Sequence, residues 1–376
     1  MKRLAVLIKP ASAFCNMGCA YCFYADVAAS RQEAYKGVMT RETAAAIIQN
    51  VFSCLENGDH ITFAFQGGEP LLAGLDFFAF FTAEVERAAA PGVKVEYAIQ
   101  TNGTLVNDEW LDFLLKRSFL VGLSIDGNAA LHDANRKDAH GNGTHDRVMA
   151  TKRSFDEAGI PYNVLCVLTS RAAENAAGIW DFVMRENIRH VQFIPCLESL
   201  ESKADEGQDA SLLPADFYNF YSAVFPLWKR EILRDNFIQI RLFEDLAALF
   251  LVGHGITCGI DGRCRPQIVV EADGGVYPCD FYVLDEYKSG NLAEQTLREV
   301  FEATVSSGFF HQRKLPPKCR DCAYIRHCRG GCKRMVKAVY GDGTYRDCGM
   351  RSFLEENLDD LLDICRKLLG MDTSTV

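Results

Sequence analysis

Cys15-Asn16-Met17-Gly18-Cys19-Ala20-Tyr21-Cys22-Phe23-Tyr24 follows the first β-branched run of the chain, Leu4–Ile8, and sets three thiols on one short loop. Three thiolates so spaced can hold three irons of a four-iron cube, and the missing fourth ligand leaves one iron open to bind and reduce a small molecule. A structural zinc site asks for four closed ligands, and no fourth is obvious nearby.

Outward from this loop, short β-branched or aromatic runs alternate with longer amphipathic stretches up to about residue 195. The runs Leu4–Ile8, Ile61–Phe65, Val95–Ile99, Leu120–Ser124, Tyr162–Leu168 and His190–Ile194 read as strands. Helical periodicity covers Thr40–Leu55, with Thr40 as N-cap and Glu42 in the first turn, then Leu75–Ala89, Asp108–Lys116, Thr144–Ala158 and Ala172–Glu186. Six such alternations predict a parallel sheet, wound either as a partial barrel or as a doubly wound sheet. Three turn-forming stretches fall at the C-terminal ends of the next strands: Gly67-Gly68-Glu69-Pro70, Gln100-Thr101-Asn102-Gly103-Thr104 and Ser124-Ile125-Asp126-Gly127. Barrels of this kind place their chemistry there.

Composition narrows the function. Of 376 residues 48% are hydrophobic and 24% charged, enough apolar material for a large core, and the net charge of −10 with no basic block argues against a nucleic-acid partner. No apolar run approaches a membrane span, and Met1–Pro10 is interrupted too early for a signal peptide, so the chain reads as cytoplasmic. Fifteen cysteines in a reducing compartment point to metal or cluster ligation rather than disulfides.

Past residue 195 a polar, irregular connection, Leu197–Ala215, leads to helical patterns at Pro214–Arg234 and Leu242–Leu251. Then cysteines and glycines become frequent: Cys258, Cys264 and Cys279, next Cys319, Cys322, Cys328 and Cys332, and finally Cys348, before a last amphipathic helix, Phe353–Leu369. Eight thiolates are what two fully ligated cubes require; a pair of zinc knuckles would use the same residues. With little apolar periodicity, this part should be organised by its metal. The remaining cysteines, Cys54, Cys166, Cys196 and Cys365, lie in helix or strand patterns and read as buried structural thiols.

The cysteine loop and the three strand-end motifs resemble the radical S-adenosylmethionine (SAM) superfamily. That resemblance implies an α/β fold, a partial (β/α)6 barrel over residues 1–235, with SAM held by Tyr21, Gly67, Gly68, Glu69, Gln100, Asn102 and Ser124. The second cysteine set resembles the SPASM domain, expected over 236–350 and followed by the C-terminal helix in 351–376. By similarity Cys258, Cys264, Cys279 and Cys332 hold one auxiliary 4Fe-4S cluster, and Cys319, Cys322, Cys328 and Cys348 the other, for three clusters in all.

Within that group Ile8-Lys9-Pro10-Ala11-Ser12, Cys22-Phe23-Tyr24, Phe65-Gln66-Gly67-Gly68-Glu69-Pro70, Asn135-Arg136-Lys137-Asp138 and Val276-Tyr277-Pro278-Cys279-Asp280-Phe281-Tyr282 resemble the anaerobic sulfatase-maturating enzymes. The resemblance implies oxidation of a Cys or Ser in a sulfatase Cys/Ser-x-Pro-x-Arg motif to formylglycine, with reduced flavodoxin or ferredoxin as electron donor. Asp280, after a cluster cysteine, matches the family's proposed base. Tyr24 and Gln66 are candidates to touch substrate, and Arg136 to steer a peptide carboxylate. Two other readings stand beside this one: a SPASM maturase of a ribosomal peptide, and a non-catalytic iron–sulfur or zinc protein.

Overall fold

Strands β1 (Arg3–Ile8), β2 (His60–Phe65), β3 (Lys94–Thr101), β4 (Leu120–Ser124), β5 (Tyr162–Leu168) and β6 (His190–Pro195) lie parallel in chain order in a computed structural model that describes residues 2–200, 211–311, 314–341 and 348–370. Helices α1 (Phe23–Ala29) and α2 (Arg41–Phe52) follow β1, and α3 (Leu75–Ala88) and α4 (Asp108–Lys116) follow β2 and β3. Next come α5 (Ala129–Asn135) and α6 (His145–Ala158) after β4, and α7 (Ser170–Ala173) and α8 (Ala176–Arg185) after β5. Thr40 caps α2 through its side chain, which accepts from the Thr43 N–H, as the pattern predicts. The single helix expected over Ala172–Glu186 is instead α7 and α8, with Asn175 at the N-cap of the second. The short helices α1 and α5 have no periodic stretch long enough to announce them; α5 is marked only by its Asn128 cap, whose side chain accepts from the Leu131 N–H.

The sheet grows at both edges. After α9 (Pro214–Ile232), β7 (Gln239–Ile240) pairs in parallel with β6, and α10 (Arg241–Leu251) packs on β6. At the other edge β8 (Ile268–Val270) runs parallel to β1, with Val6 opposite Ile268 and Ile8 opposite Val270; β9 (Gly275–Tyr277) and β10 (Gly290–Asn291) then add antiparallel. The ten-stranded order is β10-β9-β8-β1-β2-β3-β4-β5-β6-β7. The sheet is therefore continuous across the boundary expected at residue 235, and the C-terminal part shares the main core: Val270, Val276, Leu292 and Val300 are buried in one cluster with Phe63, Phe65, Phe78 and Phe81. Helices α11 (Leu297–Ser306), α12 (Ile325–Cys328) and α13 (Gly349–Leu368) complete the chain, α13 packing along α9 through Phe353, which touches Phe225 and Phe243. Residues 201–210 of the expected connection, and 371–376 beyond the last helix, lie outside the described residues.

A second, smaller core joins Val27 of α1 to Val269, Tyr277, Val283 and Leu284. Because Asp280 lies between Tyr277 and Val283, this packing fixes it against the helix that leaves the cysteine loop. Among the described residues no helix is long and apolar enough to cross a membrane.

Candidate active site

The cysteine loop lies over the C-terminal ends of the strands and is fastened to them from two sides. On one side the Gly18 N–H donates to the Lys137 carbonyl at 2.9 Å and the Ala20 N–H to the Asn135 carbonyl at 3.1 Å. On the other, Asn16 bonds Thr104 at 2.8 Å and receives the Asn102 amide at 2.9 Å, and Asn102 Nδ2 also reaches Cys15 Sγ at 3.8 Å. The two glycines after β2 serve this closeness: the Gly68 N–H donates to Ser12, the Glu69 N–H to Phe14, and a Cβ on Gly67 or Gly68 would come within 2.6 or 2.0 Å of those same carbonyl oxygens. Burial pushes the Cys15 thiol up to about 12 and that of Cys19 up to about 11, so a bound cation is needed to hold them as thiolates at neutral pH.

Glu69 is fully buried and accepts from Leu71 N–H, Thr101 Oγ1 and Asn102 N–H; desolvation outweighs these bonds and lifts its carboxyl to about 7. Gln100 and Ser124 bond each other at 3.0 Å at the ends of β3 and β4. Tyr21 donates its hydroxyl to Asp126.

Arg136 is not placed to steer a substrate carboxylate. It is 7% exposed, its Nε lies 2.9 Å from Asp126 Oδ2, and its guanidinium stacks 5.5 Å from the Tyr21 ring. Its Nε and Nη2 are committed to Asp126 within a buried pair.

Asp280 lies at the mouth of the barrel. Lys9, the residue after β1, places Nζ 2.9 Å from Asp280 Oδ1, and Tyr24 donates its hydroxyl to Oδ2 at 2.7 Å. Tyr24 also lies 3.0 Å from Gln66 Oε1, and Lys9 Nζ stands 4.6 Å over the Tyr24 ring. Burial first, then the Asp280 charge, push the Tyr24 hydroxyl well above its ordinary value, so it remains a protonated donor. Tyr24, Gln66 and Asp280 thus come together at one point. Lys9 was missed as a site residue; its signal is a lysine at the C-terminal end of the first barrel strand, 2% exposed.

The eight C-terminal thiols separate into two neighbourhoods. Cys258, Cys264 and Cys279 each lie near enough to Cys332 to feel its charge, and Cys328 is likewise near Cys319, Cys322 and Cys348. The second set lines a cavity of about 200 Å³, and Cys348 caps α13 by accepting the Arg351 N–H on its sulfur at 3.5 Å. Among the described residues no three His, Cys, Asp or Glu side chains converge on a single-ion site. Of the four remaining cysteines, Cys166 and Cys196 are buried as expected; Cys54 and Cys365 are only half-buried, at the edge of the core.

Residues 10–172 match the model of the radical SAM superfamily, and 258–323 that of an iron-sulfur cluster-binding domain, SPASM. A cysteine-type anaerobic sulfatase-maturating enzyme of Clostridium novyi (strain NT) is 37% identical over 98% of this chain and 99% of its own. The chain belongs to the anaerobic sulfatase-maturating enzymes. A serine-type member from Bacteroides thetaiotaomicron is 32% identical over 91% of this chain and 85% of its own. A solved structure of native anSMEcpe with bound AdoMet and Cp18Cys peptide superposes with a TM-score of 0.87 at 35% identity, covering 97% of this chain and 99% of that one. Family chemistry of this kind takes a 4Fe-4S cluster and SAM, and the SPASM portion binds additional clusters.

Proposed function

We propose that this enzyme works in the cytoplasm and oxidises the cysteine of a Cys-x-Pro-x-Arg motif in a sulfatase polypeptide to formylglycine, with reduced flavodoxin or ferredoxin as electron donor. The closer likeness to the cysteine-type relative than to the serine-type one supports a Cys substrate. The observation that carries the reading is Asp280, directly after Cys279 and gripped by Lys9 and Tyr24 where the barrel strands end.

Cys15, Cys19 and Cys22 would hold the cluster that binds SAM, and the strand-end residues Gly67, Gly68, Glu69, Gln100, Asn102 and Ser124, with Tyr21, would bind the SAM. Cys258, Cys264, Cys279 and Cys332 would hold the first auxiliary cluster, and Cys319, Cys322, Cys328 and Cys348 the second. When bound, these groups supply the radical chemistry that removes a hydrogen atom from the substrate β-carbon and an acceptor for the second electron. The chain's own part is proton handling. Asp280 takes the proton from the substrate thiol, Lys9 orients one carboxylate oxygen, and Gln66 holds Tyr24 against the other.

Incubated with reductant, SAM and a Cys-x-Pro-x-Arg peptide, the enzyme should give a product that has lost sulfur and two hydrogens and gained an oxygen from water, read by mass spectrometry. A product that keeps its sulfur and has lost only two hydrogens would overturn the assignment in favour of thioether chemistry. Asp280→Asn keeps the shape without the basicity, and should lower formylglycine 10²–10⁴-fold while SAM cleavage persists.

A further inference from the structure

We infer that Lys333, a cation that no carboxylate offsets, raises the reduction potential of the auxiliary centre held by Cys258, Cys264, Cys279 and Cys332. The inference rests on the proposed assignment of those four thiolates to one cluster.

Lys333 directly follows Cys332, and folding brings two more cysteine segments to it. Cys258-Gly259 lies against Cys332: a Cβ on Gly259, which has φ +78°, would stand 2.8 Å from the Cys332 Cβ and 3.5 Å from its sulfur. The turn Cys279–Tyr282, closed by the Tyr282 N–H on the Cys279 carbonyl at 3.1 Å, sets the Tyr282 ring 4.9 Å from Lys333 Nζ. The ammonium is thereby tied to both segments, near enough to Cys264, Cys279 and Cys332 to feel their charges.

Its place is fixed by aromatic rings. Lys333 Nζ donates to the Phe309 carbonyl at 2.9 Å and stands 3.2 Å from the centre of the Phe309 ring. Phe309 is buried, and its ring meets those of Tyr282 at 5.5 Å and Tyr287 at 5.0 Å, both edge to face. Ring quadrupoles attract a cation without supplying a negative charge. Other charges beside these segments are paired: Asp280 with Lys9, Arg334 with Asp26 at 3.6 Å, Arg265 with Asp261 at 2.6 Å. Among the described residues no carboxylate forms an ion pair with Lys333.

A carboxylate in the place of the rings would cancel most of the field of the ammonium at the thiols; rings and a carbonyl leave it standing. Reduction adds an electron to the centre, and a fixed cation nearby stabilises the added charge. This suits the proposed reaction. Once the substrate β-carbon has lost a hydrogen atom and the thiol its proton, closing the C=S bond releases one electron, and Lys333 makes the acceptor easier to reduce. Lys333 acts through the centre and is in that sense a positioning residue.

The test is a redox titration of the intact, three-cluster enzyme followed by electron paramagnetic resonance. The SAM-sensitive signal marks the centre of Cys15, Cys19 and Cys22; of the other two, the signal lost in Cys264→Ala marks the centre beside Lys333. Lys333→Met keeps the apolar stem and removes the charge, and should lower the reduction equilibrium constant of that centre at least tenfold, which for one electron is about 59 mV. Lys333→Arg should stay near wild type. A smaller change in Lys333→Met overturns the inference, as does an equal fall in Lys333→Arg, which would trace the effect to packing. If Lys333→Met fails to retain iron, Lys333→Gln decides by the same measure, since its amide can still bond the Phe309 carbonyl. Loss of iron from both would mean that the residue fastens the centre rather than tunes it, and overturns the inference too. The premise has its own arm: if Cys264→Ala keeps both SAM-insensitive signals, the ligand assignment fails and takes the inference with it, whatever the Lys333 variants do.

Discussion

The Cys15–Cys22 loop and the segment 314–329 both carry thiols that the proposed reading gives to iron, but they are fastened differently. The loop is bonded to residues distant in sequence: Asn135, Lys137, Thr104 and Asp126. In 314–329 the backbone N–H groups of Cys319, Cys322, Ile325, Cys328 and Arg329 donate only to carbonyls three or four residues back, and none of these sixteen residues is buried. Loop geometry at the barrel is set by buried strand ends, whereas the later segment meets the rest of the chain through half-buried contacts, Phe250 against Tyr324 and His327 and Arg329 Nη1 on the Asp261 carbonyl at 3.3 Å. A site that must leave one iron open for chemistry gains from a preformed frame; a fully ligated site can let metal binding provide folding energy.

Removing iron should therefore break one region and spare the other. After anaerobic chelation, amide exchange in 314–329 should rise on the order of a hundredfold, while β1 to β6 keep their protection. Equal loss of protection in both regions would abolish the contrast. The seam between them offers a sharper probe. Arg31, just past α1, pairs with Glu271 at the end of β8 at 2.8 Å, and both side chains are 1% exposed. Arg31→Met strands a buried carboxylate and should cost about 3–5 kcal/mol in denaturant unfolding, most of it recovered in the double variant with Glu271→Leu. A single variant within 1 kcal/mol of wild type would mean that the edge at β8 is loosely held.

These contrasts also explain what could be read in advance. The cysteine spacings, the strand-end turns and the place of Asp280 could be read because each is local in sequence: a thiol pattern, a glycine turn, an acid beside a cysteine. Lys9 was not, because its role exists only once β8 pairs with β1 and brings Asp280 over the end of the first strand. Arg136 was misread for a related reason. A charged residue beside a lysine looks solvated or substrate-facing until burial and a partner at Asp126 are seen, and no periodicity marks either. The continuity of the sheet past residue 235 was hidden because β7 has two residues and β8 three, too short for alternation to show.

The smallest effect probes how firmly the barrel side is set. His132 is fully buried; the Asp126 N–H donates to its Nδ1 at 3.3 Å, and its Nε2 lies 3.1 Å from Thr144 Oγ1. With a backbone donor on Nδ1, the neutral ring carries its proton on Nε2 and donates it to Thr144, which passes a bond on to the Arg136 carbonyl. Burial, aided by the Arg136 charge, lowers the His132 pKa to about 4, against an ordinary value of 6.5. Because the unfolded chain takes up this proton first, the stability that neutral His132 allows is complete above pH 6.5 and is lost as pH falls toward 4. Between pH 7 and 5.5 the loss attributable to this residue should be roughly 1 kcal/mol. Denaturant unfolding of wild type and His132→Gln across that window measures it: the variant should lack this part of the slope while keeping whatever the other titrating groups contribute. Parallel curves for the two proteins would show that His132 is accessible to protons in the folded state, and that the frame beneath the cysteine loop is looser than its hydrogen bonds imply.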